Sequence, residues 1–316
     1  MTANRVLAGV CCTSLVLSGG GCASAPRPDA LEVRTVESRA EGRPLPVSIY
    51  RPPAWDGRTP LPLVVFLHGG GDDARIFERH GEVVARLDAA IAAGHVPPVI
   101  VAVPEGELGF WRNWADGSHR YEDWVVDEAI PFVRREVPVL DAPAGQHVLG
   151  VSMGGAGALY LGLDHPEAFG TISVLSAPIF DVDRTMDFLA GKYFRGIPTE
   201  RIFGTPDRAE VEAHNAYARL SSPEALEGRS LLVGAGTRDR RGIAASTAAF
   251  HAHLERHGVP HHYLVYRGGH RYRDWAKVFP FVLCVQLRPD ADCSPLAGSI
   301  ETYDAPAGRD RGAPAP

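Results

Sequence analysis

Residues 147–157 read His-Val-Leu-Gly-Val-Ser-Met-Gly-Gly-Ala-Gly. The apolar pair Val148-Leu149 runs into Gly150-Val151-Ser152-Met153-Gly154, and small residues then lead through Gly155 to Ala158 and Leu159. This pattern predicts a strand, a sharp turn and a helix. The spacing Gly-x-Ser-x-Gly suits a nucleophile elbow, in which Ser152 sits on a strained turn with its hydroxyl pushed clear of the sheet. The glycines are required because a side chain at either place would strike the neighbouring strand or helix. The new helix also aims its free backbone N–H groups at the reacting centre. A chain with 34 glycines makes such patterns by accident, so the elbow stands or falls on its surroundings.

Those surroundings alternate between strand and helix. Upstream, Pro60 and Pro62 introduce Leu63-Val64-Val65-Phe66-Leu67, apolar without alternation as in a buried parallel strand, and the run ends in His68-Gly69-Gly70-Gly71. A helix is predicted over 75–93, a second buried strand over 96–103, and an amphipathic helix over 121–137 with Pro131 inside it. Residues 31–36 and 45–50 read as a pair of edge strands. After the elbow helix, a strand over 171–176 precedes a long mixed stretch, 178–229, read as a lid with short helices. Strands over 230–235 and 262–266, each followed by a helix (243–257 and 272–287), complete the series. The fold expected is α/β: a mostly parallel sheet covered by helices on both faces.

Composition sets the outer bounds. The 316 residues, 45% of them hydrophobic, suffice for one large core. A net charge of −6 gives no reason to expect nucleic acid as a partner. No long apolar span follows the N-terminus. Residues 1–25 read as an export signal, with Arg5 ahead of a short apolar run and Ala23-Ser24-Ala25 as an A-x-A cleavage site. Cys22 offers a second reading, the lipid-bearing cysteine of a bacterial lipoprotein, although Gly19 stands where those signals usually carry leucine. Either reading means export, periplasmic, secreted or held to the envelope by that lipid. The catalytic domain is expected over 26–295. A tail over 296–316, rich in Ala, Pro, Gly and Asp, is expected to be disordered. In an oxidising compartment Cys284 and Cys293 can form a local disulfide, and the bridge is expected over one buried and one exposed thiol.

Three strand ends carry a nucleophile, an acid and a base in the order Ser152, Asp239, His270, which is the order of α/β-hydrolases. A serine hydroxyl is a poor nucleophile near neutral pH and needs an adjacent base. Imidazole takes its proton and returns it to the leaving group, while the carboxylate holds the tautomer. The oxyanion needs donors: the N–H of Met153, and in the His68 turn that of Gly70 first and Gly69 next. His68 itself reads as a structural residue. Asp181 and Asp183 are competing acids that the lid is expected to expose. His253 and His257 have the i, i+4 spacing of a metal site, but a solvated helix face is the expected reading, and no metal or cofactor is expected.

With these residues in hand, the segment Gly150 to Ala158 resembles the elbow of the putative esterase family, which takes in esterase D, tributyrin, feruloyl and acetylxylan esterases and the mycolyltransferases. The run 92–100, the run 121–128, and Gly268-Gly269-His270 with Trp275 are similar to further stretches of that family. The resemblance implies the α/β-hydrolase fold, with Ser152 as nucleophile, Asp239 as acid and His270 as base. The chain departs at Arg271-Tyr272, where many relatives carry Asp-Trp.

The function expected is an exported serine carboxylic-ester hydrolase working through an acyl-enzyme on short-acyl, aromatic-acyl or carbohydrate-linked small-molecule esters. An acyltransferase with the same triad, a serine peptidase and a silent surface binding module are the alternatives. The loop Trp111-Arg112-Asn113-Trp114 follows a strand end and is expected to border the pocket, its two indoles offering stacking surfaces.

Overall fold

Alternate residues of the strand Leu63–Leu67 enter two different cores. Leu63, Val65 and Leu67 join one apolar cluster, Val64 and Phe66 the other, and all five are buried. A strand covered on both faces must be apolar throughout, which is why this run shows no alternation.

The computed structural model describes residues 30–193 and 196–306, the side chain of Arg241 excepted. The expected export segment, Cys22 included, lies outside the described residues. In chain order the elements are β1 (Leu31–Ser38), β2 (Arg43–Tyr50), β3 (Leu63–Leu67), α1 (Ile76–Arg79), α2 (Gly81–Ala92) and β4 (Ile100–Pro104). Then come α3 (Tyr121–Asp123), a π-helical stretch Trp124–Ala129, α4 (Ile130–Glu136), β5 (Gln146–Val151), α5 (Met153–Asp164) and β6 (Thr171–Leu175). The insertion after β6 holds α6 (Val182–Leu189), α7 (Thr199–Phe203), α8 (Arg208–His214) and α9 (Ala216–Arg219). The chain closes with β7 (Ser230–Arg238), α10 (Arg241–Arg256), β8 (His262–Gly269), α11 (Tyr272–Leu287), a 3₁₀ segment Ser294–Ser299 and β9 (Ile300–Asp304).

The nine strands form one sheet in the order β1-β2-β4-β3-β5-β6-β7-β8-β9. The pairs from β4 through β3 to β8 are parallel, and β1, β2 and β9 add antiparallel edges. The chain leaves β3 for β4 on one side and later inserts β5 on the other. That reversal opens a crevice at the carboxyl ends of β3 and β5, where a ligand site belongs in such sheets. Among the described residues no helix is long and apolar enough to cross a membrane.

Four local readings change. The predicted helix over 75–93 breaks at His80 into α1 and α2. The strand predicted from 96 starts only at Ile100, because Pro97 and Pro98 lack the N–H a ladder needs. Pro131 lies in the first turn of α4, and the preceding stretch widens to a π-helix, with the N–H of Ile130 reaching back to the carbonyl of Val125. The tail expected to be disordered from 296 instead continues as the 3₁₀ segment and β9. Cys284 and Cys293 are joined as a disulfide, which ties this segment to α11. β9 then covers the open edge of β8, the Tyr303 ring packs edge-on against Phe281 at 5.1 Å, and its hydroxyl meets His262 Nδ1 at 2.7 Å. Average composition hid the strand-forming Ile300, Thr302 and Tyr303.

Candidate active site

Ser152 stands between β5 and α5 with φ +56° and ψ −122°, a left-handed conformation that costs a non-glycine residue about 1–3 kcal/mol. The flanking glycines make the turn possible. A Cβ on Gly150 would lie 1.9 Å from the Gly154 carbonyl oxygen, and one on Gly154 would lie 2.0 Å from that of Leu67. The Ser152 N–H is held by the carbonyl of Leu175 at 2.9 Å, so the strained residue is fastened to β6.

The three predicted residues meet. Ser152 Oγ lies 2.8 Å from His270 Nε2, and His270 Nδ1 lies 2.8 Å from Asp239 Oδ1. Since the carboxylate can only accept, Nδ1 carries the proton and Nε2 is free to receive one from Ser152. Asp239 Oδ1 also accepts from the N–H of Arg240 at 2.7 Å, and Oδ2 accepts from the hydroxyl of Ser176. Burial pushes the Asp239 carboxyl up, but the hydrogen bonds from His270 and Ser176, aided by imidazole charge and the Arg240 N–H, hold it below the usual range.

Ser176, Tyr266 and Tyr272 drew no role from the sequence. Ser176 is fully buried at the end of β6, with φ +52°. Its one proton goes to Asp239, so its oxygen accepts from Tyr266 Oη at 2.6 Å and from Trp275 Nε1 at 2.9 Å. Tyr266 comes from β8 and Trp275 from α11, so three elements converge behind the carboxylate. Only the position of Ser176 at a strand's carboxyl end marked it in the sequence.

The turn after β3 lies against the elbow: a Cβ on Gly69 would be 3.4 Å from Ser152 Cβ, and one on Gly70 would be 3.6 Å from Met153 Sδ. Gly69 was an expected second donor. Its N–H instead goes to the hydroxyl of Tyr272 at 3.2 Å, and that hydroxyl also bonds Asp72. Burial, with the adjacent Asp72 charge, pushes the Tyr272 phenol well up. Gly70 and Met153, by contrast, donate their N–H groups to nothing among the described residues. His68 is fully buried beneath this turn. Its Nδ1 faces the Gly69 carbonyl at 2.9 Å and must donate, while Nε2 accepts from the Gly106 N–H at 3.2 Å. Glu105 gathers the N–H groups of Ala74, Gly106 and Glu107, which knits the turn to the end of β4.

The expected pocket loop is largely structural. Trp111 is 1% exposed, with Nε1 donated to the His68 carbonyl and its ring packed where a Cβ on Gly157 would fall, so it offers no stacking face. Asn113 bonds Asp123 at 2.6 Å, and Trp114 donates to the Gly109 carbonyl at 3.1 Å. Of the four, Trp111 and Arg112 line a cavity, with the Arg112 guanidinium 5.0 Å from the Phe203 ring. That cavity, about 410 Å³, lies between α5 and the 178–229 insertion and is walled by Phe110, Phe180, Phe188, Phe203 and Tyr160. Ala156, one turn beyond Ser152, is on its wall.

The other candidates lie elsewhere. Asp181 caps α6 by accepting from the Arg184 N–H at 2.9 Å, and Asp183 pairs with Arg208 at 2.7 Å. His253 and His257 turn to the carbonyls of Leu220 and His253 at 3.0 and 2.8 Å. His251 Nδ1 meets His261 Nε2 at 2.8 Å.

Comparison with known proteins agrees with this architecture. Residues 38–283 match the model of the family described as "Putative esterase". A 126-residue stretch is 29% identical to the MPT51 antigen of Mycobacterium leprae, covering 39% of this chain and 41% of that protein. The chain thus spans about two fifths of the length of such curated relatives. A ferulic acid esterase structure superposes with a TM-score of 0.68 at 18% identity, covering 82% of this chain and 98% of the other. A fluorophosphonate-binding serine hydrolase of Staphylococcus aureus does so with 0.67 at 20% identity, covering 82% and 98%. The fold is that of the α/β-hydrolases, and with its family model matched from Ser38 to Leu283 the chain belongs to the putative esterase family.

Proposed function

We propose that the protein is an exported serine carboxylic-ester hydrolase that works through an acyl-enzyme. The observation that carries this reading is the continuous chain from Ser152 through His270 to Asp239, with both links at 2.8 Å and two unengaged N–H groups beside it. In the first half-reaction His270 Nε2 takes the Ser152 proton as Oγ bonds the acyl carbon. The N–H groups of Met153 and Gly70 receive the oxyanion. His270 returns the proton to the leaving oxygen, and water repeats the sequence to free the acid.

The acyl groups proposed are short or aromatic. The phenylalanine-walled cavity one turn from Ser152 supports this, because aromatic rings pack edge-on and offset within such a wall. Carbohydrate-linked esters stay within this class. The disulfide between Cys284 and Cys293 supports export, since such bonds persist in oxidising compartments.

The test is labelling with a fluorophosphonate probe beside hydrolysis of a p-nitrophenyl ester series, methyl ferulate and acetylated xylan. Wild type is expected to label, and Ser152→Ala to lose both labelling and, by about 10⁴-fold or more, hydrolysis. Ser152→Ala activity within about tenfold of wild type would reject the nucleophile. A kcat/KM that keeps rising beyond about eight acyl carbons would reject the acyl class in favour of a lipase-like trough.

A further inference from the structure

A second cavity, of about 540 Å³, has His270 on its wall, and the acyl-transfer chemistry leaves it without a use. Four arginines line it, Arg238, Arg240, Arg271 and Arg273, with two acids, Asp239 and Asp274. All four arginines are exposed, and among the described residues none of their guanidinium groups makes a hydrogen bond or ion pair. Other surface arginines are taken up by acids. Arg201 is held by Asp116 at 2.8 Å, Arg208 by Asp183 at 2.7 Å and Arg267 by Glu301 at 2.9 Å. The two acids of the cavity are already engaged. Asp239 serves His270, Ser176 and the Arg240 N–H. Asp274 accepts from the Gly269 N–H at 3.0 Å and from Lys277 at 3.1 Å, with Arg273 attracting it only at longer range.

Four unpaired cations collected in one hollow run against the charge of the whole chain, which is −6. Like charges held together repel unless something anionic sits among them. The backbone adds to the field: Arg240 and Arg271 stand at the N-cap positions of α10 and α11, each of 16 residues, and neither helix has a side-chain cap.

The chemistry gives this hollow a direction. His270 returns its proton to the leaving oxygen, and His270 shares the wall of this hollow with the arginines, so the alcohol part of the ester departs beside them. We propose that this cavity binds the alcohol portion of the substrate, and that this alcohol carries a pair of carboxylates or a phosphate. The proposal rests on the esterase reading. Guanidinium groups recognise both anions in bidentate fashion, so the shared chemistry is a small polyanionic alcohol. In the step itself the Ser152 Oγ–acyl bond forms and the ester C–O bond breaks. The electron pair goes to the alcohol oxygen, which takes the proton from His270 Nε2, and the anionic groups stay with the arginines throughout.

Matched esters test this. The butyrate esters of 5-hydroxyisophthalate and of 3-hydroxyphenyl phosphate are compared with that of dimethyl 5-hydroxyisophthalate, which is neutral. At low ionic strength, kcat/KM for at least one anionic ester is expected to exceed the neutral one by at least about tenfold. The anion preferred identifies the group. The ratio is expected to collapse toward one in the double variant Arg238→Gln/Arg271→Gln and in about 0.5 M NaCl. The double variant Arg238→Lys/Arg271→Lys should fall between, keeping charge but losing the planar fork. Turnover of the neutral ester at a rate equal to or above both anionic ones would overturn the proposal. A second readout does not need turnover: calorimetric titration of free 5-hydroxyisophthalate and 3-hydroxyphenyl phosphate into Ser152→Ala. At least one is expected to bind, about tenfold more weakly when Arg238→Gln/Arg271→Gln is added. Equal affinity with and without those arginines would overturn it. Retained binding with no turnover of any ester and no fluorophosphonate labelling would reject the esterase reading alone.

Discussion

The hydroxyl of Ser176 gives its only proton to Asp239 Oδ2, and so places a buried neutral donor behind the carboxylate that holds His270. Asp239 is ionised there in spite of burial, and its depressed pKa has a definite consequence for stability. A carboxylate whose folded pKa lies below its unfolded value, about 3.9, contributes stability that is complete above that value. The contribution is lost as pH falls through the folded pKa. Ser176→Ala removes one stabilising donor and raises the Asp239 pKa toward the unfolded value, so the contribution should shrink and its loss should be complete at a higher pH than in wild type. It also leaves Tyr266 Oη and Trp275 Nε1 without their acceptor, at about 1–3 kcal/mol. Urea unfolding between about pH 2 and 6 reads both effects, and kcat/KM at neutral pH should fall about tenfold. Unchanged pH dependence of stability would show that Ser176 does not tune this carboxylate.

Of the three aspartates weighed for the acid, only Asp239 reaches His270. Asp239→Asn should cost about 10⁴ in kcat, because an amide facing Nδ1 favours the wrong imidazole tautomer. Asp181→Asn should be almost silent, since asparagine caps a helix as well as aspartate. Asp183→Asn breaks one exposed pair with Arg208, worth at most about 1 kcal/mol. Steady-state kinetics on the three variants rank them, and a larger loss at position 181 or 183 would reject the assignment.

Tyr272 spans from α11 to the turn after β3. Tyr272→Phe removes the acceptor of the Gly69 N–H and the hydroxyl partner of Asp72 together. The turn that carries Gly70 should loosen, and kcat should fall about tenfold with KM little changed, because the loss is felt in oxyanion binding. A rise in KM at constant kcat would instead mark Tyr272 as a ground-state binding residue.

Gly154→Ala should be close to unfolding. Its new methyl would stand 2.0 Å from the Leu67 carbonyl oxygen and 2.5 Å from that of His68, both backbone atoms of a central strand and its turn. Relief would require β3 and α5 to part, at a cost above about 3 kcal/mol. Gly298→Ala has nothing within 4 Å of the added carbon and serves as the control. Thermal melts should separate the two by many degrees; equal melting temperatures would mean that the elbow is not packed this closely.

The sequence by itself determined the α/β order of elements, the elbow, and the strand-end places of Ser152, Asp239 and His270. Each is local: an unbroken apolar run, a glycine spacing or a turn residue is visible within about ten positions. Tertiary structure alone decided what stands behind and beside them. Ser176, Tyr266, Trp275 and Asp239 lie as far as 99 residues apart and touch only because β6, β7 and β8 are neighbours and α11 packs back on them. The same assembly turned Trp111 from an expected stacking surface into core, since the ring fills the space that Gly157 leaves open. It engaged Gly69 with Tyr272 and left Gly70 free. It also added β9 to the sheet, where an Ala-Pro-Gly-rich composition had argued for disorder. A side chain's partners are set by which elements fold against it, and short sequence windows carry no record of that.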